Sequence, residues 1–331
     1  MKQDNGYTDK TKILGLIKSD YGRSGGKSVT NAVKKIQQND KVYRAVERLK
    51  FSECAMGSGY GVHTHLDKNI RRHIGVTSEQ ILRVHLSKKC DIVDKYKLCF
   101  LRQLRSAFAV QSIDKALEIC EKINGNDNES IDNMYLLSRY SDAETVYNDW
   151  KACGIYKEVH EIKKMADGKL GSVLNCSQRE AMLHREAKEI ISLCVNRSVV
   201  YFTTECKVRD FGVILTMNSS NVHGGEIDVV TKDSIVDIKV KEQFSVLDIL
   251  QVLTYARIMK LNKHKLYKGV KYIKLVNPFI NKVRTYTIKD VPKELWELID
   301  DNIIGTYKQL SLFDNNIVGD MSKLIKGEDN Q

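Results

Sequence analysis

Apolar residues recur at three- and four-residue intervals through the first half of the chain, the spacing that lines one face of a helix. Residues 28–50, 77–89, 94–110 and 112–123 are read as helices on this ground. Residues 142–164 are read as another, broken near Gly154. Thr77 with Gln80 three residues on has the form of a capping box. The cluster Asn124-Gly125-Asn126-Asp127-Asn128 marks a turn. Prolines occur only at Pro278 and Pro292, so nothing in the first half forces a helix to stop. Past Gly168-Lys169-Leu170-Gly171 the pattern changes. A Ser-capped amphipathic helix over 177–195 precedes short runs of β type at 198–208, 211–217, 225–231 and 234–240. A strongly apolar helix at 244–260 leads to strands at 270–277 and 282–289, and Pro292 opens a last helix to about Leu310. Strands, a helix and a further strand make an α/β order, in which the post-helix strand joins the same sheet by a crossover.

A chain of 331 residues is longer than one small domain. The pattern divides it into a mainly helical domain at 1–165, an α/β domain at 166–314 and a polar tail at 315–331. Lys and Arg total 53 against 42 Asp and Glu, a formal +11, and residues 1–110 hold 22 basic and 10 acidic side chains, or +12. That local excess fits a polyanion partner or a solvated lysine-rich face. Arg44, Arg48 and Lys50, with Lys88, Lys89, Arg102 and Arg105, are the cations placed to track a nucleic-acid backbone. The eight cysteines form no C-x-x-C pair, which argues against a zinc ribbon or a disulfide framework and for reduced thiols. No apolar run approaches a membrane span, and MKQDNGYTDKTK lacks the apolar core of a signal peptide. The expected setting is intracellular, cytoplasmic or nucleoid-associated, with no membrane partner.

Candidate chemistry concentrates in GEIDVVTKDSIVDIKV. Asp228 lies on one strand, Lys232-Asp233-Ser234 make a tight turn, and Asp237 and Lys239 lie on the next. Period-two alternation puts Asp237 and Lys239 on one face and Val236, Ile238 and Val240 on the other. Antiparallel pairing brings Asp228 towards the charged face. Two carboxylates in an apolar hairpin are costly without a cation, and Mg²⁺ (or Mn²⁺) suits hard oxygen ligands. A lysine two residues on then orients water and neutralises charge on a phosphate. The competing reading is an edge hairpin with solvated charges.

Asp228 followed by Asp237-Ile238-Lys239 resembles the PD-(D/E)XK nuclease superfamily, with Ile227 where the name expects Pro. Gln251 and Tyr255, spaced i, i+4, are similar to the Q-x-x-x-Y signature of the RecB-like exonuclease branch, and the likeness covers about residues 172–290. The resemblance implies a restriction-endonuclease-like core, a mixed sheet flanked by helices, preceded here by the helical domain. It implies metal-dependent hydrolysis of phosphodiester bonds, with Asp228, Asp237 and the Ile238 carbonyl on the metal, joined by His184, or by Glu186 or Glu189. Lys239 would position water, and Gln251 and Tyr255 would contact the substrate strand. Glu205 matches an acidic position often seen on the preceding strand, but a surface Glu explains it better. No cysteine grouping reproduces the iron–sulfur cluster of Cas4-like relatives, so none is expected. DNA is the implied partner. RNA cleavage on the same fold, and a non-catalytic nucleic-acid-binding or assembly protein with a protein partner or oligomer, are the rivals.

Two other motifs carry less. Residues 22–28, GRSGGKS, miss the first glycine of a phosphate loop because position 21 is Tyr. His63, His65 and His73, with Cys54 nearby, lack a zinc-site template and are expected to be exposed or to cap helices.

Overall fold

A computed structural model describes residues 27–36, 39–62, 68–89, 100–123, 127–155, 157–174 and 178–308. Its helices are Val29–Lys35 (α1), Asp40–Glu47 (α2), Lys68–Lys89 (α3), Leu101–Ala109 (α4), Ile113–Glu121 (α5), Asn128–Ser138 (α6), Tyr140–Ala152 (α7), Val159–Leu174 (α8), Gln178–Thr204 (α9), Val246–Leu261 (α10) and Lys293–Ile299 (α11). The strands are Ser52–Ala55 (β1), Val208–Thr216 (β2), Asn218–Ser219 (β3), Gly224–Thr231 (β4), Ser234–Ile238 (β5), Tyr272–Asn277 (β6), Lys282–Thr287 (β7) and Tyr307–Lys308 (β8). Six of them form one mixed sheet in the order β1–β7–β6–β5–β4–β2, and β3 pairs with β8 outside it. Only β5 and β6 run parallel in the six-stranded sheet, as the crossover through α10 requires.

Helices cover both faces of the sheet, giving an α/β architecture with two cores. On one face α3 to α9 pack against Val229, Val236, Ile238, Val276 and Val283. On the other, α1, α2, α10 and α11 pack against Val213, Ile227, Ile235, Ile273, Leu275 and Tyr286. The alternation of Val236 and Ile238 against Ile235 along β5 assigns each side chain to its layer. The helix α10 is apolar nearly all round because it lies between the sheet and a further helical layer. Its start is fixed by a capping box, in which the Ser245 hydroxyl accepts from the Asp248 N–H and the Asp248 carboxylate accepts from the Ser245 N–H.

Several elements differ from the sequence expectation. Residues 198–204 are helical, continuing α9, not a strand. The β-branched run there is misleading, because the buried positions Ile191, Cys194, Val195, Ser198, Tyr201 and Phe202 keep helical spacing while Val200 is exposed. The single helix expected at 28–50 is two, the second capped by the Asn39 side chain on the Val42 N–H. Thr77 does not open a helix. It is buried within α3, whose apolar face already begins at Ile70 and Ile74. Gly154, at φ +71°, does break the 142–164 stretch, separating α7 from α8. The helix α8 runs through Gly168 and Gly171, where the pattern had placed a domain boundary. Upstream of that boundary, β1 supplies the edge strand beside β7, with Glu53 opposite Arg284, and α1 and α2 pack on α10. Residues before 165 are therefore built into both layers and the sheet itself. The last α-helix ends at Ile299 and widens into a π-turn over Asp300–Ile304. The tail at 315–331 lies outside the described residues. Among the described residues no helix is long and apolar enough to cross a membrane.

Candidate active site

The centre lies where β4 and β5 part. Their antiparallel register pairs Val230 with Ile235 and Val229 with Val236, which puts Asp228 opposite Asp237. At that point a side chain takes over from the ladder: Asp228 Oδ2 accepts the Ile238 N–H at 2.7 Å. On its other edge β5 stays paired with β6, and the Lys239 N–H donates to the Val276 carbonyl at 2.8 Å. The backbone holding Asp237 and Lys239 is thus fixed from both sides. Asp237 and Lys239 project towards α10, opposite to Val236 and Ile238. Lys239 Nζ lies 2.7 Å from Asp237 Oδ2 and donates to Gln251 Oε1 at 3.3 Å. Gln251 Nε2 donates in turn to the Tyr255 hydroxyl at 2.8 Å. Asn277 fixes the following loop by donating to the Lys241 carbonyl at 2.7 Å, and Lys241 pairs with Asp248 at the start of α10.

Both aspartates are buried, Asp228 at 9% and Asp237 at 1% exposure. Burial pushes Asp237 up to about 6 against the attraction of Lys239. Asp228 rises well above the usual carboxylate range, through burial and then through repulsion from Glu79 and Asp237. Burial works against the charge on Lys239 too, but Asp237 and Asp228 outweigh it and hold the ammonium above its ordinary range. Lys239 Nζ pairs with Asp237 Oδ2, and this buried oxygen has no other partner. Two adjoining buried acids that both resist ionisation are what a divalent cation would satisfy. The pair fits Mg²⁺ or Mn²⁺ on that ground. Among the described residues no group of three or more His, Cys, Asp or Glu forms a metal-binding cluster.

Three functional neighbours were not anticipated. Arg83 on α3, 7% exposed in its side chain, pairs with Glu79 and Glu226 and lies 3.5 Å from Asp228 Oδ1. Burial disfavours the guanidinium, but Glu226, Glu79 and Asp228 keep it charged. The Glu226 side chain is 43% exposed. Its surroundings oppose ionisation, yet Arg83, then Arg102 and Arg105, hold its carboxyl low. The signals were available, since Glu79 and Arg83 are one helical turn apart and Glu226 shares a strand face with Asp228.

The remaining candidates are scattered. His184 lies in α9, with its side chain outside the described residues. Glu186 and Glu189 are exposed on α9; the acid whose charge is felt by both aspartates is Glu79 of α3, which pairs with Arg83. Glu205 is an exposed turn residue, not part of a strand. Tyr255 is 2% exposed, packed so closely under Gly225 that a Cβ there would lie 2.6 Å from its ring. Its hydroxyl steadies Gln251, and burial removes it from the surface where a substrate strand would pass. Arg44, Arg48 and Lys50 are exposed beside α2, in the layer with α10. Arg102 is exposed and Arg105 half-buried on α4, in the layer with α3. Lys88 and Lys89 end α3, with side chains outside the described residues. These cations therefore do not form one surface; the sheet divides them.

His73 is buried, not exposed: its Nδ1 bonds the Ser138 hydroxyl at 2.9 Å and its Nε2 bonds Asp142 at 2.8 Å. Ser138 is equally buried, so this Ser–His–Asp line ties α3 to α6 and α7 and does not meet a substrate. His63, His65 and residues 22–26 lie outside the described residues, while Ser28 caps α1 by accepting the Asn31 N–H. Two cavities of about 320 and 440 Å³ lie beside β1 and β7, lined by Glu53, Ile280, Lys282 and others but by neither aspartate. Comparison of the chain with protein-family models, curated proteins and solved structures finds no match in any of the three.

Proposed function

We propose that the protein is a metal-dependent nuclease of the PD-(D/E)XK type that hydrolyses phosphodiester bonds in DNA. One observation carries the reading: Asp228, Asp237 and Lys239, picked out by spacing, meet at one point, with Lys239 tied to Gln251 and through it to Tyr255. A solvated edge hairpin would leave these charges exposed, whereas both acids are buried and the half-buried lysine bonds Gln251 of α10.

A divalent ion at Asp228, Asp237 and the Ile238 carbonyl would supply Lewis acidity towards a phosphate oxygen and a bound water. The protein's own residues do the rest. Asp228, fixed by the Ile238 N–H, and Asp237, fixed by the β5–β6 ladder, set the ligand positions. Lys239, held protonated by Asp237 and Asp228 in the metal-free centre, is suited to orient water and offset the charge growing on the phosphate. Gln251 keeps the ammonium in place from α10. In the reaction the water oxygen bonds to phosphorus and the bond to the leaving sugar oxygen breaks. That oxygen takes up a proton, leaving a phosphomonoester and a free hydroxyl.

The test uses labelled single- and double-stranded DNA and RNA, each with Mg²⁺, Mn²⁺ or EDTA. Metal-dependent cleavage of DNA, lost in Asp237→Asn, is the expected result. Cleavage of RNA alone would move the reading to a ribonuclease. Nucleic-acid binding without cleavage under any metal would make the protein a binding module.

A further inference from the structure

We propose that Arg83 is a fixed internal cation standing where a second metal ion would otherwise sit, so that the centre takes one divalent ion, between Asp228 and Asp237. This rests on the metal-centre reading above and concerns how many ions that centre admits.

Three carboxylates converge on the guanidinium from two elements: Glu79 from one turn earlier on α3, and Glu226 and Asp228 from one face of β4. Three acids in such a position repel one another, and ordinarily a metal ion or a basic side chain compensates. A guanidinium does this with a rigid fork of donors on a charge that no physiological pH removes. Its grip is uneven. Glu79 and Glu226 are in direct contact, while Asp228 Oδ1 is at 3.5 Å, beyond a good hydrogen bond. Arg83 therefore anchors to the outer two acids and only borders the third, leaving Asp228 able to turn its charge towards Asp237.

The backbone is shaped around this pair. Gly212 on β2 has φ +55°, and a Cβ there would lie 3.0 Å from Arg83 Nη1 and 3.4 Å from Glu226 Oε1. Any other residue would be strained and would press on the Arg83–Glu226 contact. Among the described residues the acids form no three-ligand metal group, which is the outcome if Glu79 and Glu226 are spaced around a planar guanidinium and not a single ion.

Calorimetric titration of the full chain with Mg²⁺, and of the same chain with Mn²⁺ followed by electron paramagnetic resonance, counts the ions directly. One ion per wild-type chain with an uncoupled Mn²⁺ signal is expected. Arg83→Gln should take up a second ion and show a spin-coupled Mn²⁺ pair, whereas Arg83→Lys should remain at one. Should Arg83→Gln fold only with metal, refolding it in Mn²⁺ and counting bound ions gives the same readout. Two ions in the wild type, or one in Arg83→Gln, would overturn the inference while leaving the metal centre standing. No ion in the wild type would overturn the metal centre, and the inference with it.

Discussion

Replacing Asp237 with Asn should stabilise the metal-free protein, although Asp237 belongs to the proposed active site. Burial carries this carboxyl from its ordinary 3.8 to about 6. The folded state therefore binds the proton more tightly than the unfolded chain, and ionising Asp237 costs stability. The contribution is fully present below the unfolded value near 3.8 and is lost as the pH rises through about 6. At about 1.4 kcal/mol per pKa unit, the charged form is worse than the neutral one by about 3 kcal/mol at neutral pH. The attraction of Lys239 is already contained in that difference, and Asn mimics the protonated acid in shape. Urea unfolding in EDTA should then show Asp237→Asn more stable than wild type by about 3 kcal/mol near pH 7.5, with the gap closing near pH 4. Reading the difference between the two proteins cancels carboxylates such as Asp127 and Asp142, whose pKa values are lowered and which weaken the fold in acid in both. Saturating Mg²⁺ should nearly close that gap. At a hundredfold excess over its dissociation constant the ion adds about 2.7 kcal/mol to wild type and little to the variant, so the gap nearly disappears. A variant less stable than wild type in EDTA near neutral pH, or equal stabilisation of both proteins by Mg²⁺, would refute the reasoning.

Lys239→Ala should lower turnover on DNA by about 10²- to 10³-fold while calorimetric Mg²⁺ binding at alkaline pH persists, because the ammonium acts on charge that develops during the reaction. Near-normal turnover would assign the role elsewhere. His73→Ala should cost about 2–4 kcal/mol in urea unfolding without changing metal binding, since it empties a buried ring site and unties α3 from α6 and α7. A change within about 0.5 kcal/mol, typical of surface sites, would show that the tie carries no load. Reversing Arg102 and Arg105 to Glu should flatten the log–log salt dependence of duplex binding by about 1.8, as for two lost phosphate contacts. The same reversal at Arg44 and Arg48, in the opposite layer, should leave the slope alone; fluorescence anisotropy at several salt concentrations distinguishes the two, and equal effects would remove the argument from layers.

What the sequence made legible, and what it hid, follow from the range of the forces involved. The hairpin, its charged face and the crossover helix are local. Alternation along 234–240 fixes the faces, the turn at Lys232-Asp233-Ser234 fixes the pairing, and i, i+4 spacing puts Gln251 and Tyr255 together. The strand assigned to 198–208 failed at the same local level, because β-branched propensity competed with a helical burial period and tertiary packing decided for the period. Non-local choices left no such trace. Nothing near Ser52–Ala55 signals that four exposed residues will complete a sheet begun 150 residues later, since β1 is held by the backbone of β7 and by Glu53 with Lys282 and Arg284. The same is true of Arg83. On α3 it reads as half of a surface Glu–Arg pair, the kind worth little in water. It becomes the deepest positive charge beside Asp228 only because α3 crosses over β4, at a distance of 143 residues in the chain from Glu226. A pair of acids spelled out within one hairpin thus acquires a cation from a helix whose sequence shows the Glu79–Arg83 pairing but not where it will dock. Sequence spacing groups the two aspartates and the lysine, and the guanidinium beside them is found only once the layers are stacked.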